Sequence, residues 1–199
     1  MQPKRINAIF FDLGDTLLNF GKVKTTPLFY RAAKSTYAYL NSQGHPVGGF
    51  TWYFIRHLIG LRWRYFISNR IQRDFNSLEV LRRMSERKGH RISERQAEQL
   101  SWLWYETLVK VAEIESDLTQ TLQALTDQGL KLGIISNTFV HATALDRHLD
   151  QLGVLPYLPT RLYSYQFSFR KPDPRLFQAG AEQIGEDVEH ILYVGDRID

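Results

Sequence analysis

The stretch Ile9-Phe10-Phe11-Asp12-Leu13-Gly14-Asp15-Thr16-Leu17-Leu18 decides the fold. It runs a short apolar strand straight into a carboxylate and then into turn residues, so Asp12 is expected at the C-terminal edge of a sheet. In open α/β sheets that edge is where ligands bind. A carboxylate held there acts as a nucleophile toward phosphorus or as a ligand for a hard cation. Taken alone, an Asp followed so soon by Gly also reads as the start of a turn.

Three later segments repeat the pattern of an apolar strand, or a structured loop, presenting a polar group. Leu132-Gly133-Ile134-Ile135 ends in Ser136-Asn137-Thr138, Lys171 opens Lys171-Pro172-Asp173-Pro174, and Ile191-Leu192-Tyr193-Val194 ends in Gly195-Asp196. Each alone is an ordinary loop residue, strand-end cap or turn former. If the strand order reverses between the first and last of these strands, Asp12 and Asp196 lie side by side over a crevice. Together with a Lys, a hydroxyl and backbone donors they make up the parts that phosphoryl transfer needs.

Working outward, Ile6 to Phe11 reads as a buried strand. From Thr26 the pattern turns helical: Thr26 caps, Pro27 suits the first turn, Phe29, Ala33, Tyr37 and Leu40 share a face, and Gly44 stops it. Phe50 to Phe66 is aromatic-rich with Arg56, His57, Arg62 and Arg64 interleaved, and reads as a helix in the core of an insert. Asn76 or Ser77 opens a helix through Lys88 that Gly89 closes, and Ser93-Glu94-Arg95-Gln96 is a capping box for a helix to about Ala112. Trp102, Trp104 and Tyr105 read as packing residues. His45, His57 and His90 show no metal-ligand spacing. Beyond Asp117, whose helix carries Leu118, Leu122 and Leu125 and ends at Gly129, strands at Lys131–Ile135, Arg161–Tyr165 and His190–Val194 alternate with helices at Ala142–Leu152 and Pro174–Ile184. That alternation predicts a parallel sheet.

The chain has 199 residues, 43% apolar and 13% aromatic, which is enough for a globular core, and it has no Cys. Disulfide frameworks and Cys-bound zinc are thereby excluded. The basic start Met1-Gln2-Pro3-Lys4-Arg5 is soon followed by Asp12, and no apolar run approaches the ~18 residues of a membrane span, so a cytoplasmic chain without membrane partners is expected. Net charge is +4, but residues 20–115 hold sixteen Lys/Arg against eight Asp/Glu while the rest holds nine against thirteen. A cationic insert facing an acidic site attracts anionic substrates. Arg and aromatic residues interleaved also occur in single-strand nucleic-acid binders, but helical spacing favours packing.

With Asp12, Ser136, Lys171 and Asp196 in this order, the chain resembles the haloacid dehalogenase (HAD) superfamily of Asp-nucleophile phosphohydrolases along nearly its whole length. The resemblance implies a Rossmann-like parallel sheet over 1–19 and 116–199, with an all-helical cap at 20–115 inserted between strands one and two. It implies Asp12 as nucleophile, and Asp12, the Gly14 carbonyl and Asp196 as ligands of Mg²⁺. Lys171, Ser136 and the Asn137 backbone would bind the phosphoryl group of a small phosphorylated substrate selected by the cap.

Two departures stand against that pattern. The family's phosphatases carry Asp-x-Asp, the second Asp protonating the leaving group, and here that position is Gly14. Losing a general acid costs ~10²- to 10⁴-fold in rate, so activity is expected to be weak or shifted to good leaving groups. A catalytically idle binding protein, or a dehalogenase, is the alternative. Asp15, one residue further on, either supplies the missing carboxylate or bonds its own turn. The second departure is that the chain stops at Asp199, inside the last motif, where the family continues with a helix and strand. The expectation from sequence is a truncated sheet with strand four as an edge.

Overall fold

The computed structural model describes residues 5–86 and 91–196. Its centre is a parallel sheet of four strands, β1 (Ala8–Phe11), β2 (Lys131–Ser136), β3 (Thr160–Tyr163) and β4 (Ile191–Val194), in the order β3-β2-β1-β4. Every residue of β1 is buried, as a central strand covered on both faces requires. Its side chains alternate: Ile9 and Phe11 join one apolar cluster, and Ala8 and Phe10 join another. The first cluster includes Leu122 of α5 (Leu118–Asp127) and Leu145 and Leu149 of α6 (Ala142–Gln151). The second is closed by Leu176 and Ile184 of α7 (Pro174–Ile184). Phe10 fits because β2 is bare beside it, since a Cβ on Gly133 would stand 2.5 Å from Phe10 Cε1 and 2.6 Å from the Thr160 carbonyl oxygen.

Between β1 and α5 the chain builds α1 (Thr25–Ser42), α2 (Phe50–Ile71), α3 (Ser77–Glu86) and α4 (Glu94–Val109). These helices share a separate cluster containing Ala33, Leu40, Tyr53, Leu78, Ala97 and Leu100. The chain leaves and returns at one point, where Asn19 and Glu113 exchange both backbone hydrogen bonds at 2.8 Å. The Ser93 capping box forms as expected, with Ser93 Oγ accepting from Gln96 N–H and the Gln96 side chain accepting from Ser93 N–H.

Several expectations shift. The first helix begins at Thr25 with Lys24 as its N-cap and no capping side chain, so Thr26 does not cap. Lys88 and Gly89, expected to close α3, lie outside the described residues, as does His90. The third strand ends at Tyr163 and passes into a 3-10 turn over Ser164–Gln166, because the Gln166 side chain takes the Tyr163 N–H. Helix α2 is core along one side only: Tyr53, His57 and Ser68 are buried, while Trp52, Ile59, Trp63 and Phe66 are exposed. Apolar residues all around this helix leave one face unpartnered among the described residues. Strand β4 pairs with β1, and its Leu192 and Val194 face outward. No helix among the described residues is long and apolar enough to cross a membrane.

Candidate active site

The strand order puts β1 between β2 and β4, so the loops after all three open on one edge. Asp12 N–H donates to the Val194 carbonyl at 2.8 Å, which carries the β1–β4 ladder one residue past the strand and sets Asp12 beside Gly195-Asp196. Asp12, Gly14, Ser136, Asn137, Lys171 and Asp196 all line one cavity of about 750 Å³. The reversal in strand order is therefore real, and all six residues singled out in the sequence meet at it.

The two oxygens of Asp12 have different surroundings. Oδ1 accepts from Leu13 N–H at 2.7 Å, and Oδ2 faces Lys171 Nζ at 2.6 Å with both side chains largely buried. Charge-assisted contacts of this length are the strong ones. Lys171 is held from its backbone as well: its N–H donates to Asn137 Oδ1 at 2.8 Å, and Asn137 Nδ2 donates to its carbonyl at 2.9 Å. The Asn137 side chain is thus spent on bracing the Lys171 loop. Ser136 ends β2 and is buried. The adjoining turn is fixed by Thr138 N–H donating to Ser164 Oγ at 2.9 Å.

The turn after β1 is closed by Leu18 N–H to the Leu13 carbonyl and Asp15 N–H to the Leu18 carbonyl, both at 2.8 Å. Those bonds use neither polar group of Gly14. A Cβ on Gly14 would meet only Phe20 Cε2, at 3.9 Å, an ordinary contact. Asp15 is exposed and left-handed, with φ 56°, and its N–H closes the turn. Thr16 Oγ1 is buried without a hydrogen-bond partner.

Tyr193 is a site residue that the sequence reading passed over. Its hydroxyl accepts from Lys171 Nζ, the same ammonium that contacts Asp12 Oδ2. Burial, then the Asp12 and Asp196 carboxylates, push this phenol well above its usual range, so it stays neutral. The ring passes close over Gly195, where a Cβ would lie 3.0 Å from Tyr193 Cε1, and it meets Phe177 edge-on at 5.2 Å. The available signal was a phenol two residues before the strand-end Gly, since a half-buried tyrosine hydroxyl needs a partner.

The helical insert forms the opposite wall with Tyr65, Asn69, Gln72, Tyr105 and Leu108. It is fastened on two sides. Asp74, buried beyond α2, accepts from Ser68 Oγ at 2.8 Å, Ser164 Oγ at 2.5 Å and Arg170 Nη1 at 3.1 Å, while Arg170 also donates to Asn69 and Gln72. This clamp sits one residue from Lys171. On the other side Tyr105 bonds His148 Nδ1 of α6 at 3.0 Å, and Arg147 stacks over Trp102 at 3.8 Å. Burial raises the Tyr105 phenol and lowers the His148 imidazole, which favours the neutral form of both partners.

Known proteins share parts of this architecture. The chain is 34% identical over 80 residues to the glyceraldehyde 3-phosphate phosphatase of Methanocaldococcus jannaschii, covering 40% of this chain and 34% of that protein. It is 35% identical over 82 residues to the phosphoglycolate phosphatase of Agrobacterium fabrum, covering 41% and 34%. The matched segment thus spans about a third of the length of either relative. A 2-haloacid dehalogenase of Pseudomonas syringae superposes with a TM-score of 0.58 at 23% identity, covering 96% of this chain and 78% of that one, which is a likeness of fold. The match to the haloacid dehalogenase-like hydrolase family itself runs from residue 6 to 199. Sheet, insert and carboxylate-lined edge all lie within that range, and the chain belongs to this family of hydrolases.

Proposed function

We propose that the chain hydrolyses phosphate monoesters of small metabolites, with Asp12 as nucleophile. The observation that carries this reading is the Asp12–Lys171 contact of 2.6 Å inside a cavity also lined by Ser136, Gly14 and Asp196. The relatives named as phosphatases support it, over the third of their length that aligns.

The donor set fits Mg²⁺. Two carboxylates, Asp12 and Asp196, and the Gly14 carbonyl are hard oxygen ligands, and this cation prefers few of them together with water and substrate phosphate. The same two carboxylates raise the Tyr193 phenol, a sign that their negative charge converges there. Bound at those three groups, Mg²⁺ would supply positive charge against the phosphoryl oxygens.

The rest is done by the chain. One oxygen of Asp12 attacks phosphorus in line, the ester bond breaks with its electron pair on the leaving oxygen, and an aspartyl-phosphate results. The Lys171 ammonium offsets charge on the equatorial oxygens, and the Ser136 hydroxyl and Asn137 N–H donate to them. Tyr193 and the Asn137 side chain keep Lys171 aimed. Water then attacks phosphorus, releasing phosphate and restoring Asp12. Gly14 offers no proton, so a leaving group must depart unassisted, and aryl and acyl phosphates are favoured over sugar phosphates. Residues 1–19 with 116–199 act as the catalytic body, and 20–115 as the cap that excludes water.

Gly14 favours a second reading, in which the fold binds a phosphorylated ligand without turning it over. A screen of Mg²⁺-dependent phosphate release from a panel of phosphomonoesters, run on wild type and Asp12→Asn, separates the two. Release that is lost in the variant supports hydrolysis, and none from any ester leaves only binding.

A further inference from the structure

A second cavity lies between the helices of the insert and the Phe139-Val140 segment after β2, a chamber of about 200 Å³ whose exposed walls are almost wholly apolar. Leu28, Phe29 and Ala32 of α1, Val80 and Leu81 of α3 and Trp104 of α4 line it. Four residues, Tyr105, Leu108, Phe139 and Val140, line both this chamber and the carboxylate-lined cavity, so the two adjoin.

We infer that this chamber binds the apolar part of the ester's leaving group, an aryl or short alkyl body. The inference rests on the hydrolytic reading above for the position of the phosphoryl head. A dry apolar cavity of ~150 Å³ holds benzene, so this volume takes a ring or a chain of similar bulk. Chemistry and space agree independently. Gly14 restricts the site to leaving groups that depart without a proton, and an aryloxide combines that property with an apolar body.

The test measures binding, not turnover. n-Alkylphosphonates from methyl to hexyl are titrated calorimetrically into the full chain with Mg²⁺, using wild type and the chamber-filling variant Ala32→Phe. Val80→Phe replaces the latter if circular dichroism shows that it does not fold. In wild type Kd should fall about fourfold per methylene, the equivalent of ~0.8 kcal/mol per buried CH₂, until the chamber is full. In the filled variant the gradient should vanish while methylphosphonate binds as before. Affinity independent of chain length, binding by no member, or a gradient that survives the filled chamber overturns the inference; the last result would put the tail elsewhere, for example on the exposed face of α2. A chain that hydrolyses short esters without any gradient loses the chamber and keeps the hydrolytic reading. A gradient without hydrolysis does the reverse.

Discussion

On the proposed mechanism, a carboxylate introduced at position 14 should raise turnover of esters with poor leaving groups. In Gly14→Asp the new Cβ meets one neighbour, Phe20 Cε2, at 3.9 Å, and the position lacks the positive φ that would strain a non-glycine residue. The substitution should therefore be tolerated and, by restricting the unfolded chain, should add ~0.4–1 kcal/mol of stability. For a chain of this size that corresponds to roughly 1–4 °C in Tm. The gain in rate comes from proton donation to the leaving oxygen, worth ~10²- to 10⁴-fold where the leaving group is poor. The assay is phosphate release from ethyl phosphate and from 4-nitrophenyl phosphate at saturating Mg²⁺, with a melting curve for each protein. kcat/KM on the alkyl ester should rise by at least ~10²-fold while the aryl ester changes little. An unchanged alkyl rate in a well-folded variant, or equal gains on both esters, would falsify the assignment of position 14 as the missing acid.

Other consequences follow from the same geometry. Asp15→Asn keeps a residue that tolerates the left-handed φ of 56° and should leave turnover unchanged, whereas a large loss would make Asp15 the substitute acid. Tyr193→Phe removes the hydroxyl between Lys171 and Asp12 and should lower kcat by about tenfold with the fold intact, as the loss of one charged hydrogen bond implies; an unaffected kcat would remove Tyr193 from the site. Asp74→Ala removes the buried carboxylate from the partly buried Arg170 and should cost about 3 kcal/mol in denaturant unfolding, with a raised KM because the clamp beside Lys171 is lost. Burial lowers the His148 imidazole below its usual value, so the unfolded chain takes up the proton first. His148 therefore contributes stability that is complete above about pH 6.5 and declines as pH falls through that value toward the folded one. Tm should drop between about pH 7.5 and 5.5, and His148→Gln should flatten the slope, with His141, lowered in the same direction, contributing the remainder.

Residues whose position follows from local pattern were legible in the sequence. Four buried apolar residues followed by Asp12 can only be a strand running to the sheet edge, and the Ser93–Gln96 box marks its helix start by hydrogen-bond logic alone. Asp12 and Asp196, 184 positions apart, were expected together on the condition that strand order reverses between their strands, and the family resemblance implied the same pair. What stayed hidden depends on partners distant in sequence. Tyr193 reads as one more strand aromatic until Lys171 is placed against it. Asp74 reads as a loop acid until Ser164 and Arg170, far along the chain, converge on its carboxylate. The exposed side of α2 was misread as core because periodicity reports that residues share a face and is silent on whether anything packs against it. The chamber behind Trp104 is a property of how four helices fit, which no spacing records.

On the proposed mechanism the phosphoryl group passes through Asp12. Wild type is mixed with phenyl phosphate and Mg²⁺, quenched in acid during turnover, digested, and the peptides are read by mass spectrometry, alongside Asp12→Asn and a sample with the metal chelated. The expected result is one phosphorylated residue, Asp12, present in wild type with metal and absent in both controls. Steady phosphate release with no phosphate on Asp12, or release that persists in Asp12→Asn, would contradict it.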